Sequence, residues 1–191
     1  FIINYFVLQY GGESTIAAYG VSMRIEQIAL IPTIGLNVAV LSIIGQNYGA
    51  RNFDRIYEAR RKGIIYGVII MLIGTIIIFP LAPILISIFD SSPDVINAGT
   101  TYLRIEAVAF TTYIFLNINV STLEGIKKPK FAIALGIYRQ ILPFGLFFLL
   151  GTTLNMGIYG VWWGIVIINW SAVFMAHFYT SYKLRQLKLS M

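Results

Sequence analysis

"SIIGQNYGARNFDR", residues 42–55, begins as the end of an apolar run and finishes basic. From Ile28 to Ile44 nearly every side chain is apolar, with Pro32 and Gly35 inside the run. Then come Gly45, Gln46, Asn47, Tyr48, Gly49 and Ala50, which are small, amide or phenolic, and then Arg51 and Arg55. This is how a spanning helix leaves a bilayer. Its side chains stop being greasy, its last carbonyls need partners, and cations mark the interface. Gly45, Gly49 and Ala50 have almost no side chain, so a neighbouring backbone can come close. Gly45, Gln46, Gly49 and Ala50 are therefore expected to form a packing joint rather than a ligand site.

The rest of the chain agrees with a membrane reading. Of its 191 residues 58% are hydrophobic and 12% charged, about half of the ~25% charged fraction of soluble domains. Several apolar stretches approach the ~20 residues that a spanning helix requires. Cysteine is absent and His177 is the single histidine, which excludes disulfides, thiolate metal sites and a histidine-rich zinc site. No catalytic, cofactor-binding or metal-binding set is expected, and no nucleic-acid partner.

The segments read as an all-α, polytopic helical bundle with about six transmembrane helices, the first of them truncated. Residues 1–10 form a partial span, and a turn at 11–14 leads through Ser14 into a second span over 15–46. An amphipathic basic stretch, 53–62, precedes a third over 63–89, with Pro80 and Pro83 late in it. Ser92 and Pro93 suit an N-cap and first helical position for a fourth span over 95–124. The fifth covers 130–150, broken by Pro143, and the sixth covers 158–180, followed by a tail, 181–191. The start at Phe1, within an apolar run, suggests a fragment of something longer.

Charge sets the orientation. Arg51, Arg55, Arg60, Arg61 and Lys62 share one connection. Lys127, Lys128 and Lys130 share another, and Lys183, Arg185 and Lys188 lie in the tail. The opposite connections carry Glu13, Asp90 and Asp94 and no Lys or Arg. By the positive-inside rule the basic side and the C-terminus are cytoplasmic, in a multi-pass protein of the plasma membrane.

With that topology laid out, residues 17–63, "AAYGVSMRIEQIALIPTIGLNVAVLSIIGQNYGARNFDRIYEARRKG", resemble the multidrug and toxic compound extrusion (MATE) transporters. The pattern is Ala17-Ala18-Tyr19-Gly20, Arg24-Ile25, Pro32, Gly35 and the Gly45-to-Ala50 element. "LEGIKKPKFA", residues 123–132, is similar to the short basic loop between that family's tenth and eleventh helices. The resemblance implies half of a twelve-helix, two-lobe transporter, here the C-terminal lobe, with the N-terminal lobe missing. It implies export of cationic or amphipathic organic compounds by antiport with Na⁺ or H⁺, by alternating access between lobes, and a small organic substrate and the lipid bilayer as partners. The alternative within the superfamily is a lipid-linked oligosaccharide or polysaccharide flippase, which would call for more cations in the deep segments than Arg139 alone. A membrane enzyme is a rival of another class, and its clustered histidines or Asp-rich motif are not present.

The ionisable residues inside the spans are the candidates for function, because burying charge in a membrane is costly. Glu106, Tyr113, Asn117 and Glu124 follow one another at seven, four and seven, so they share one broad face of the fourth span with Phe110 and Ser121. A carboxylate, a phenol and an amide suit either a cavity for an organic cation or a polar helix–helix seam. Several family members carry an acidic residue twelve before the equivalent of Gly125, where this chain has Tyr113. In the second span Arg24 and Gln27 share a face, and Glu26 lies about 200° from Arg24. Arg24 or Arg104 is expected to pair with Glu106, the alternative, above all for Arg104, being snorkelling to lipid headgroups. Arg139 stands about 13 Å past Lys130 and is expected to make a pair near the basic side, with Glu124 the nearest acid, the alternative being a direct substrate contact. His177 is expected at the interface, and Tyr159, Trp162 and Trp163 in an aromatic belt, from which one ring can line the cavity. The substrate or ion pathway is thus assigned to Glu106, Tyr113, Asn117, Arg24, Gln27 and Arg139.

Overall fold

The computed structural model describes residues 2–189, which form five α-helices joined by short turns. The first, α1, runs Ile2–Gly49 and breaks at Gly12, where φ is 74° and ψ is −171°. Only a residue without Cβ adopts that conformation readily, so α1 divides into arms 2–11 and 13–49. The turn expected over 11–14 is this one-residue break. There the Thr15 hydroxyl donates to the Gly11 carbonyl at 2.7 Å.

The second helix, α2, runs Phe53–Ser87 and takes the basic stretch and the span after it into one rod. The Asn52 side chain accepts from the Arg55 backbone N–H at 3.3 Å and caps it. The third, α3, runs Pro93–Gly125 from an N-cap at Ser92. The fourth, α4, runs Lys130–Phe148 and passes into a π-helical turn, Leu149–Thr153. The fifth, α5, runs Ile158–Leu189. The tail expected from 181 onward therefore continues the helix to Leu189, while positions 1, 190 and 191 lie outside the described residues.

Four of these elements are long and apolar enough to cross a membrane: α1, α2, α4 with its π turn, and α5. The sequence expectation for the 95–124 segment was a span of the same kind, yet α3 does not join the four. Arg104, Glu106, Asn117 and Asn119 interrupt its apolar run. Its place explains how it tolerates them. It packs against α1, α2 and α5, and Leu103, Glu106, Phe110, Ile114 and Ile118 are all fully buried. Much of its polar surface is thereby turned to protein, as polar groups at membrane depth require.

The core is layered along the bundle. Toward the basic end Ile44, Ile56, Ile114, Ile118, Leu123 and Leu184 bring α1, α2, α3 and α5 together. Toward the other end Phe6, Tyr19, Tyr102, Phe147 and Trp162 do the same for α1, α3, α4 and α5. Gly160 makes the second layer possible. A Cβ there would lie 2.8 Å from the Leu150 carbonyl carbon and the Gly151 nitrogen, so the start of α5 rests directly on the π-turn backbone.

Two of the basic-side helix ends close with backbone hydrogen bonds. After α1, Arg51 (φ 56°) lets the Asn52 N–H reach the Asn47 carbonyl at 2.9 Å, and the Arg51 N–H bonds the Tyr48 carbonyl at 3.2 Å. After α3, Lys127 (φ 59°) repeats the pattern onto Leu123 and Glu124, at 2.7 and 2.9 Å. This is the Schellman arrangement, built here on cations where glycine is usual. The amides of Gln46 and Asn47 are used elsewhere. Gln46 Nε2 donates to Ser42 Oγ, and Asn47 Nδ2 donates back to the Ile43 carbonyl. Left-handed backbone costs an L-residue roughly 1–2 kcal/mol. Lys127→Gly is therefore expected to stabilise the protein by about 1 kcal/mol, read as a higher melting temperature in detergent; a lower one would mean the lost charge matters more.

The packing joint also differs from expectation. A Cβ on Gly45 or Gly49 would meet nothing within 4 Å, and Gly45, Gln46, Gly49 and Ala50 are exposed. The close contact falls on Gly125, where Ile44 and the Gly45 backbone nitrogen approach, the latter 3.3 Å from where a Cβ on Gly125 would stand. Ile44 is fully buried, and its side chain lies 2.7 Å from where a Cβ on Gly125 would stand.

Candidate functional site

Glu26 on α1 and Glu106 on α3 are the two deeply buried carboxylates among the described residues, 4% and 0% exposed. Two phenols hold them. Tyr113, two turns along α3, donates to Glu106 Oε1 at 2.8 Å. Tyr102, one turn before Glu106, donates to Glu26 Oε2 at 3.3 Å. Tyr113 also stands beside Glu26. Glu106 Oε2 is buried with no hydrogen-bond partner among the described residues. An orphaned carboxylate oxygen in an interior calls for an explanation, because leaving it unpaired is costly.

A cavity of about 300 Å³ opens beside the pair, bordered by Glu26, Gln27, Tyr102, Tyr113, Arg139 and Asn169. Arg139 reaches it from α4. Its Nη2 donates to Asn169 Oδ1 on α5 at 2.9 Å, and Asn169 Nδ2 is a second buried polar atom without a partner among the described residues. Four helices thus place polar groups around one space. The aromatic wall next to it is tight: Trp162 lies 4.6 Å from Tyr102 and 5.7 Å from Tyr19, ring centre to ring centre.

Of the residues assigned from sequence, Tyr113, Gln27 and Arg139 border this cavity, and Glu106 lies behind it on the Tyr113 hydroxyl. Asn117 is half-buried and does not border it. Arg24 is exposed and forms no ion pair among the described residues. The expected pairing of Arg24 or Arg104 with Glu106 is corrected. Arg104 Nε donates to the Phe79 carbonyl at 3.3 Å, with its guanidinium over the Phe79 ring, and the partner of Glu106 is a phenol. Arg139 does not pair with Glu124 either. Glu124 is exposed between the buried Leu123 and Gly125, and the partner of Arg139 is an amide. Trp162 is 2% exposed and belongs to the wall, whereas Tyr159 and Trp163 of the expected belt are exposed.

Sequence reasoning left Glu26, Tyr102 and Asn169 out of the site. Glu26 carried a signal, because the 200° separating it from Arg24 already placed one of the two inside. Tyr102 carried a weaker one, four residues before Glu106 on the same face.

A model of the MatE family matches residues 1–149 of this chain. The chain belongs to the MatE family. Among MatE relatives, the probable multidrug resistance protein NorM of Pseudomonas syringae pv. tomato is 30% identical over 164 residues, which is 82% of this chain and 35% of that protein. The multidrug export protein MepA of Staphylococcus haemolyticus is 24% identical over 181 residues, 93% of this chain and 38% of that protein. The solved outward-facing conformation of a multidrug resistance MATE family transporter superposes with a TM-score of 0.93 at 25% identity, over 98% of this chain and 42% of that one. The inward-facing conformation gives 0.92 over 98% and 44%. This chain therefore spans little more than a third of these curated MatE relatives' length, and all of its described helices belong to an all-α membrane fold of that kind.

Proposed function

We propose that this chain is one lobe of a secondary transporter, not an enzyme, that exports cationic or amphipathic organic compounds across the plasma membrane. It would act with a second lobe, in exchange for inward-moving H⁺ or Na⁺. The observation that carries this reading is the Glu26–Glu106 pair with Arg139 at the edge of one cavity. Two carboxylates against one guanidinium leave one negative charge over. A buried charge is costly unless paired, so a proton, a sodium ion or a cationic substrate each relieves the site, and they compete for it. That competition is what an antiporter needs. The close match of this one chain to both outward- and inward-facing structures supports movement of the lobe as a unit. Multidrug names among the relatives favour export over the flippase alternative. The basic end, with the C-terminus, is assigned to the cytoplasm on charge.

The test uses the whole transporter that contains this chain, in proteoliposomes with an imposed proton or sodium gradient and a fluorescent organic cation. Uphill export with one of the gradients supports the reading, and none with either refutes it. Arg139→Ala is expected to slow export about tenfold, the equivalent of ~1.4 kcal/mol in the transition state, at near-normal membrane abundance. Unchanged export would confine Arg139 to packing.

A further inference from the structure

Arg60 reads in the sequence as one of five cations in a solvent-facing connection, and it is not. It is 7% exposed. Its Nε and Nη2 both donate to Asn119 Oδ1, at 3.0 and 2.7 Å. Nη2 also donates to Ser181 Oγ at 3.1 Å and the His177 carbonyl at 3.4 Å, and lies 3.2 Å from His177 Nδ1. None of these partners is an anion, and no carboxylate pairs with Arg60 among the described residues. Nη1 takes part in none of these bonds. A guanidinium keeps its proton at neutral pH even when buried, so Arg60 is a cation. A desolvated cation without a counter-ion is an expensive feature to maintain.

Arg60 borders a cavity of about 1000 Å³ where α2, α3 and α5 converge, lined also by Arg61, Lys62, His177, Ile65 and Phe115. The one carboxylate there, Glu58, is already shared by Arg55 at 2.8 Å and Lys62 at 2.6 Å. The cavity is therefore net positive. Its other wall is apolar and continues: Ile65, Ile69 and Ile73 lie one turn apart on α2, each about half exposed, and lead away from the basic end. No lining residue is common to this cavity and the Glu26 cavity.

We propose that this cavity binds the phosphate headgroup of an anionic phospholipid from the leaflet at the basic end of the bundle. Arg60, Arg61 and Lys62 hold the phosphate, and the acyl chains lie along Ile65, Ile69 and Ile73. Basic pockets between membrane helices on that side recognise such headgroups. The apolar stripe is what distinguishes a lipid from a free phosphate, which would use the cations and leave the stripe unused. The bound lipid supplies the counter-ion that Arg60 lacks and ties the ends of α2 and α5 together.

Native mass spectrometry of the whole transporter, with phosphatidylglycerol or phosphatidylcholine added, tests this. Phosphatidylglycerol is expected to be retained and phosphatidylcholine not. Arg61→Gln with Lys62→Gln, both exposed and outside the Arg60 network, is expected to weaken phosphatidylglycerol binding about tenfold or more. Inorganic phosphate at millimolar concentration is expected not to displace the lipid. Equal retention of both lipids, unchanged binding in the double variant, or displacement by phosphate would each overturn the proposal.

Discussion

Glu106→Gln is expected to cut gradient-driven export about tenfold or more, while the protein still reaches the membrane and melts within a few degrees of wild type. The substituted amide keeps the shape of the side chain and can still accept from Tyr113, as Glu106 Oε1 does at 2.8 Å. What it loses is the buried Oε2, which has no partner among the described residues. If that oxygen serves only packing, the amide is tolerated and export continues. If it receives the coupling cation, the amide cannot take its place, because it carries no charge and cannot titrate. Tyr113→Phe separates the two further. It removes the phenol but leaves the carboxylate, and is expected to alter the ion dependence of export more than its maximum. Transport assays at matched protein abundance, over a range of pH with and without sodium, check both variants.

The largest loss of stability is expected at Gly160. Valine there is expected to destabilise the protein by about 3 kcal/mol, seen as a lower melting temperature in detergent and less folded protein in the membrane. The reason is what a side chain would strike. Gly67 faces the Ile114 side chain, which can turn aside, but Gly160 faces the Leu150 carbonyl carbon and the Gly151 nitrogen at 2.8 Å. Backbone in a π turn has no rotamer to change. The start of α5 would have to lift away, taking with it Trp162, which is packed on Tyr19 and Tyr102. Asn169, the partner of Arg139, lies on the same helix. Gly74→Ala is the control, since a Cβ there meets nothing within 4 Å. It is expected to leave melting unchanged or raise it slightly. A Gly160→Val protein that melts normally would mean that α5 does not rest on that turn.

The course of the chain was legible because hydropathy, proline, glycine and charge act locally. The run from Ile28 to Ile44, the amide end at Gln46 and Asn47, and the sorting of Lys and Arg need no tertiary contact to be read. Side-chain partners were not legible, because they depend on which helices cross. Arg60 and Arg61 are adjacent and look alike in sequence, yet only Arg60 meets Asn119, fifty-nine residues away. Trp162 and Trp163 are likewise adjacent, and one is wall while the other is exposed. The step of about 100° between neighbours makes such a division expected, but the direction of the core must be known to choose. For Arg24 and Glu26 the helical period separated the two correctly. The pairing assigned to Arg24 failed because the partner of Glu106 was already on its own helix. At Gly45 and Gly49 the spacing of small residues suggested close packing, and the contact falls at Gly125, where the bulk of Ile44 lies beside the Gly45 backbone.

The most direct test of the coupling role is to compare uphill and downhill movement of one organic cation in proteoliposomes that carry the whole transporter. Wild type is set against Glu26→Gln with Glu106→Gln. The expected result is that the double variant no longer accumulates substrate against its gradient under any imposed proton or sodium gradient, while downhill equilibration of the same substrate persists. Uphill accumulation by the double variant at the wild-type rate would contradict a coupling site between α1 and α3 of this lobe.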